Sequence, residues 1–309
     1  MMTRIAIIGP GAIGSLLGAR LFESGFDVFL VDRRKDRSEK VNKHGIEVRT
    51  SSGARTVMVP SFIDTKGLAC PDLAIISVKC RDTGRAASQH ESLIGDYSTV
   101  LTLQNGLGNI TALAGIFGSS RVVGGVTTMG ANEIEPGVIH HAGEGLTAVG
   151  TPGGGESSRA DDVAAIFESA GMETKVVSNL DSWVWRKVLV NAAINPVTAL
   201  LEVRNGEIAS DPNLNRLVFG IVEEGLAVAT ALGVDIGMGL DEAVAMVMDV
   251  AQKTAENRSS MLMDRVKNKL TEIDCINGAL VAFGEKSGLK IPVNRALVQL
   301  VKALERHIT

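Results

Sequence analysis

The chain has 309 residues, 45% of them hydrophobic and 21% charged, and its formal net charge is −4. That length exceeds one typical core and predicts two domains, while the composition is that of an ordinary soluble globular protein. Basic residues scattered through a mildly acidic chain argue against a nucleic-acid surface.

The opening MMTRIAIIGPGAIG leads straight into a glycine loop, so no secretory signal is expected. Residues 4–9 predict a buried strand and 12–25 a helix stopped by Gly25. A second strand covers 27–32, and the charged DRRKDR at 32–37 is expected to edge a loop. Segments 45–50 and 56–60 predict a hairpin. Strand 72–79, a helix-compatible stretch at 82–95, and strands 99–106 and 121–128 follow, then a hairpin from 137–143 and 145–151. A helix at 157–171 and an edge strand at 172–179 close this half. Beyond Leu180 only helical periodicity remains, at 182–203, 212–233, 240–258, 271–287 and 291–307. The expected fold is therefore α/β, a Rossmann-type doubly wound sheet over 1–178, followed by an all-helical domain over 179–309. No run reaches the roughly 18 apolar residues of a membrane span, so a cytoplasmic protein without a membrane partner is expected. Cys70, Cys80 and Cys275 form no C-x-x-C pair or Cys/His cluster, and no metal site is expected.

Gly9-Pro10-Gly11-Ala12-Ile13-Gly14 is a G-x-G-x-x-G between a strand and a helix, the context of dinucleotide binding. Gly9 permits the tight turn, Gly11 the approach of a pyrophosphate, and Gly14 close helix packing; Ala12 and Ile13 open the helix whose amides face the phosphate. The second strand ends Val31-Asp32-Arg33-Arg34. Asp32 suits the ribose hydroxyls of NADH and the arginines the 2′-phosphate of NADPH, so both cofactors stay open.

Lys187, Asn191 and Asn195 recur every four residues in RKVLVNAAINP, on one face of a helix whose remaining positions are apolar. Buried amides and a buried ammonium are costly without partners. Either another part of the chain satisfies that row or it lines a cleft. Gln104-Asn105-Gly106 ends the fifth strand, at the carboxyl edge where such sheets bind ligands. In 259–281, Thr271-Glu272-Ile273-Asp274 has the form of a helix start, which makes 260–270 an irregular return and puts Glu272 in a first turn. The plainer readings are a surface lysine, a helix break at Asn195-Pro196, helix-start charge at Glu272, and loop hydrogen-bonders at Ser260 and Asp264.

The segments GPGAIGSLLG, SVKCRDT, LQNGLGN, WRKVLVNAAINPVTAL, NRSSMLMD and TEIDCING occur in the order and spacing of the ketopantoate reductase family, and the chain resembles that family over essentially its whole length. The resemblance implies a Rossmann domain, a helical domain and an active site between them, with a small 2-oxo acid as substrate. It implies Lys187 as proton donor to the ketone and Glu272 as the carboxylate holding the substrate. Asn191, Asn195 and Ser260 are implied as substrate contacts, Asp264 as their companion, and Asn105 as a neighbour of nicotinamide and lysine. Arg33 and Lys79 are implied to recognise the adenosine phosphate of NADPH; Asp32 keeps NADH open. Helical second domains of this kind often supply homodimer contacts. The rival readings are a reductase of another branched 2-oxo acid and a non-catalytic NADPH-binding sensor.

Overall fold

A computed structural model describes residues 2–306, which divide into two compact units. The first runs to Gln104 and resumes from Asn109 to Leu180; the second takes Asn105–Gly108 and the chain from Asp181 onward.

In the first unit the chain forms β1 (Arg4–Ile8), α1 (Ala12–Glu23), β2 (Asp27–Val31) and α2 (Lys35–His44). A hairpin of β3 (Ile46–Thr50) and β4 (Gly53–Val57) follows, then β5 (Ser61–Phe62), β6 (Leu73–Ile76), α3 (Thr83–Gln89) and β7 (Thr99–Thr102). The unit continues with α4 (Asn109–Phe117), β8 (Val122–Thr127), β9 (Gly130–Glu135) and β10 (Val138–Gly143). It ends with β11 (Thr147–Gly150), α5 (Ser158–Ser169) and β12 (Thr174–Val176). The main sheet has the order β12-β11-β8-β7-β6-β1-β2-β5, parallel from β5 to β8 and antiparallel only between β8 and β11. A second sheet, β4-β3-β10-β9, packs against α1.

The strands are apolar on both faces because both are covered. Ile5 and Ile7 of β1 join α1 residues Leu16, Leu17 and Leu21 in one core, whereas Ala6 and Ile8 join Ala87, Leu113 and Phe117 of α3 and α4 in another. This is the period-two alternation of a strand sandwiched between helical layers.

The second unit is helical: α6 (Leu180–Leu201), α7 (Gly206–Ser210), α8 (Pro212–Ala231), α9 (Leu240–Lys253), α10 (Ser260–Val266), α11 (Asn277–Lys286) and α12 (Pro292–Glu305). Among the described residues no helix is long and apolar enough to cross a membrane. The expected last residue of the final helix, 307, lies outside the described residues.

Four local expectations are corrected. Of the charged run 32–37 only 32–34 lie in a loop; Lys35 opens α2, in which Ser38 and Val41 bury one narrow face while the charges stay outside and Gly45 ends the helix. The expected hairpin at 137–151 does not form: β10 pairs with β9 and β3, while β11 joins the main sheet beside β8. Residues 260–266 are helical, capped by the Ser259 hydroxyl, which accepts from the Leu262 amide at 3.1 Å. No helix starts at Thr271, whose amide and hydroxyl both donate to buried Glu305 at 2.8 and 2.7 Å, so α11 begins at Asn277 instead.

Candidate active site

β1 lies between β2 and β6, and the crossovers leave it in opposite directions, which opens a crevice at its carboxyl end. Gly9 sits there with φ of +78°, and a Cβ on it would lie 2.2 Å from Val78 Cγ1. Only glycine lets the loop after β1 pass so close to the chain after β6. Gly14 is pressed on Ser77, whose Oγ would stand 2.9 Å from an added Cβ. Gly11 differs: it caps α1, and a Cβ there would meet nothing within 4 Å. No side chain caps this helix and no acid stands in its first turn, where Ala12 and Ile13 carry amides without intrahelical acceptors. Open space before an uncapped helix N-terminus fits the pyrophosphate of a dinucleotide.

The strand ends beside this loop are basic. Arg33 is exposed, with its guanidinium 3.5 Å from Asp82, and Lys79 is half-buried just before the 3-10 turn at Cys80–Asp82. Asp32 points inward and is 1% exposed. It accepts the Arg34 amide at 2.9 Å and the Arg37 guanidinium, which also reaches Glu133 at 3.1 Å. Burial opposes the charge on Arg37, but the hydrogen bonds and attraction of Asp32 and Glu133 outweigh it and raise its pKa. Asp32 is thus committed to Arg37. Arg37 escapes a sequence reading that treats 32–37 as loop; the signal that exposes it is the Gly45 stop at the end of α2.

In the second unit, α6 buries Trp185, Val188, Leu189, Ala192, Ala193, Ile194 and Val197, so its apolar surface nearly encircles it. The exception is the strip of Lys187, Asn191 and Asn195, the first two half-buried and the third buried. Desolvation pulls the Lys187 pKa down to about 8, against the carboxylate of Glu272, which acts to raise it. Asn191 Nδ2 is buried and has no hydrogen-bond acceptor among the described residues. An orphaned amide next to a desolvated ammonium fits a site that awaits an oxygen-rich ligand.

Two further segments converge on this strip. Leu107 donates its amide to Cys275 O at 2.8 Å, and a Cβ on Gly106, whose φ is +87°, would lie 2.5 Å from the same carbonyl oxygen. Asn105 is thereby held beside the 3-10 turn Ile273–Cys275 that follows Glu272. Ser259, not Ser260, touches α6, through a 2.7 Å hydrogen bond with Thr198 Oγ1. Ser260 is exposed at the first position of α10, with half-buried Asp264 one turn further along the same face. Lys187, Asn191 and Asn195 thus share one strip of α6, the charge of Glu272 acts on Lys187, Asn105 stands beside the turn after Glu272, and Ser260 and Asp264 lie on α10.

A glycine-loop cradle in a doubly wound sheet and a desolvated lysine opposed by a carboxylate belong to the oxidoreductases with a Rossmann domain. The sequence narrows the class. Residues 5–154 match the family model "Ketopantoate reductase PanE/ApbA" and residues 179–305 its C-terminal counterpart. The chain is 39% identical over 302 residues to a 2-dehydropantoate 2-reductase of Archaeoglobus fulgidus, covering 98% of each protein. It also resembles the crystal structure of a 2-dehydropantoate 2-reductase from Geobacter metallireducens, at 32% identity and a TM-score of 0.90 over 97% of this chain and 99% of that one. A D-mandelate dehydrogenase solved with NADH and anilino(oxo)acetate superposes with a TM-score of 0.94 at 27% identity over 99% of both chains. The chain belongs to the ketopantoate reductase family.

Proposed function

We propose that this protein reduces 2-dehydropantoate to pantoate with NADPH, supplying pantothenate and coenzyme A synthesis. The Rossmann unit, residues 1–178, holds the dinucleotide on Gly9, Gly11, Ala12, Ile13 and Gly14, with Asn105 and Glu272 as further contacts, and the helical unit, 179–309, carries the substrate and the proton donor. The observation that carries this reading is the ammonium of Lys187, desolvated to a pKa of about 8. A bound nicotinamide supplies the hydride that C2 receives. As charge builds on the carbonyl oxygen, Lys187 donates a proton to it, and a pKa near the working pH suits that transfer. Glu272 restrains the fall of that pKa and accepts from the substrate hydroxyl. Asn191, Asn195 and Ser260, with Asp264 as companion, bind the substrate's carboxylate and hydroxyl, since amides both donate and accept.

For the cofactor, the reading rests on Arg33 being exposed and Asp32 being spent on Arg37. Arg33 and Lys79 then meet the 2′-phosphate, and Asp32 acts by fixing Arg37 rather than by binding ribose. Initial rates with 2-dehydropantoate, NADPH and NADH in parallel test both halves. NADPH should be preferred, and Arg33→Ala should weaken it by about tenfold while leaving NADH nearly unchanged. Equal losses on both cofactors refute the phosphate contact, and absence of turnover refutes the substrate. A second reading, a reductase of another branched 2-oxo acid, is favoured by the likeness to the D-mandelate dehydrogenase bound to NADH. Side-by-side rates on 2-dehydropantoate and aryl or branched 2-oxo acids separate the two.

A further inference from the structure

Pro196 lies inside α6. A proline at that position has no N–H to give the carbonyl four residues earlier, and its ring crowds that oxygen. The carbonyl concerned belongs to Ala192, next to Asn191 and within the buried stretch of the helix. It is not left open: Asn277 Nδ2 donates to it at 3.0 Å. Asn277 is fully buried and is the first residue of α11, five positions after Glu272.

Asn277 is itself held. Its Nδ2 also donates to Asn294 Oδ1 at 2.9 Å. Asn294 Nδ2 in turn donates to Glu224 Oε2 at 2.7 Å and to Ile221 O at 3.3 Å. Glu224, on α8, receives the Val293 and Asn294 amides at 2.8 and 2.9 Å and so caps α12 from another helix. The direction of the relay is fixed chemically. The Ala192 carbonyl, the Ile221 carbonyl and the Glu224 carboxylate can only accept, so both amide nitrogens must face them.

We infer that Asn277 is a positioning residue: by filling the acceptor that Pro196 vacates, it locks the turn bearing Glu272 onto the helix bearing Lys187, Asn191 and Asn195. A turn placed by packing alone could slide along an apolar helix, whereas a donor seated on the carbonyl that Pro196 frees within the buried stretch has a single register. The relay through Asn294 to Glu224 extends the lock to α8 and α12. This inference rests on the reading that Lys187 and Glu272 act on one substrate.

A double-mutant cycle between Asn277→Ala and Pro196→Ala tests it. Pro196→Ala gives the helix back an N–H for Ala192 O, so that carbonyl no longer depends on Asn277. Asn277→Ala alone should lower kcat by about tenfold or more, with the KM for NADPH within about twofold, because misplaced groups slow chemistry before they weaken a remote ligand. On the Pro196→Ala background the same change should still cost about tenfold, because the double variant lacks the side chain that holds the turn. An asparagine that only satisfied the Ala192 carbonyl would instead become dispensable on the Pro196→Ala background, and that result overturns the inference. The Lys187 titration, followed by NMR of 13Cε-labelled lysine, gives a readout independent of turnover. It should move down in Asn277→Ala as Glu272 drifts away and stay down in the double variant; an unmoved midpoint in a folded Asn277→Ala protein also overturns it. If the wild type reduces no 2-dehydropantoate, the assignment of substrate fails, and the titration still decides the register lock.

Discussion

The pKa of Lys187 makes the pH profile of the chemical step a direct test of its role as proton donor. With a value of about 8, roughly nine-tenths of the lysine is protonated near pH 7 and roughly one-tenth near pH 9. A rate proportional to the acid form should therefore fall about tenfold across that interval. An ordinary exposed lysine, with a pKa near 10.4, would lose less than about a tenth of its rate over the same range. The perturbation that ties the limb to the structure is Glu272→Gln. Removing the carboxylate deletes the influence that raises the lysine's pKa and leaves the desolvation that lowers it, so the limb should shift to lower pH. Stopped-flow single turnovers, monitored by nicotinamide absorbance at saturating substrate, isolate the step from product release. A profile flat to about pH 10, or a limb that Glu272→Gln moves upward, would refute the reasoning.

The same buried ammonium has a cost to the fold. Because folding depresses its pKa, the folded state binds fewer protons than the unfolded one between about 8 and the ordinary lysine value, and stability rises with pH through that window. Lys187→Met should consequently be more stable by about 1–2 kcal/mol near pH 7, allowing for the screening of a half-buried side chain, with the gain fading above about pH 10 in urea melts. The first two glycines of the loop should separate folding from binding. Gly9→Ala places a methyl on Val78 at a positive φ and should cost about 2 kcal/mol or more, whereas Gly11→Ala enters open space and should melt almost like the wild type. Gly11→Ala should nonetheless weaken dinucleotide binding at least about tenfold in a fluorescence titration, because its methyl occupies the pyrophosphate approach. Equal melting losses for the pair would refute the distinction.

The apolar run RIAII and the glycine loop after it were legible because a buried parallel strand and a tight turn each admit few residue types. The row on α6 was legible for the opposite reason, three polar side chains on a helix apolar elsewhere. What escaped was set by partners distant in sequence. Thr271 reads as a helix cap until Glu305, 34 residues on, takes its amide and hydroxyl. β9 is polar and only half-buried, so its pattern carries no strand signal, and without it β10 finds a false partner in β11. Asp32 reads as a ribose acceptor because nothing in the local sequence shows that α2 returns Arg37 to it.

In the second unit Asn277, Asn294, Glu224 and Ser259 are as buried as the hydrophobic core, and their hydrogen bonds reach a carbonyl freed by a proline, helix N-termini and Ile221 O, although Asn277 Oδ1 has no partner among the described residues. Asn191 is of the same residue type, lies beside the Ala192 carbonyl that Asn277 fills, and keeps a buried nitrogen without an acceptor. An unsatisfied buried amide costs about 1–3 kcal/mol, which neighbouring residues could remove by offering an oxygen. None of the described residues offers one, so the cost at Asn191 persists until a ligand brings its own acceptor. Affinity for an oxygen-rich substrate and strain in the free protein are then the same free energy counted from two states. On that basis Asn191→Leu should stabilise the free protein and weaken substrate binding together, a joint sign that a residue buried only for packing does not give.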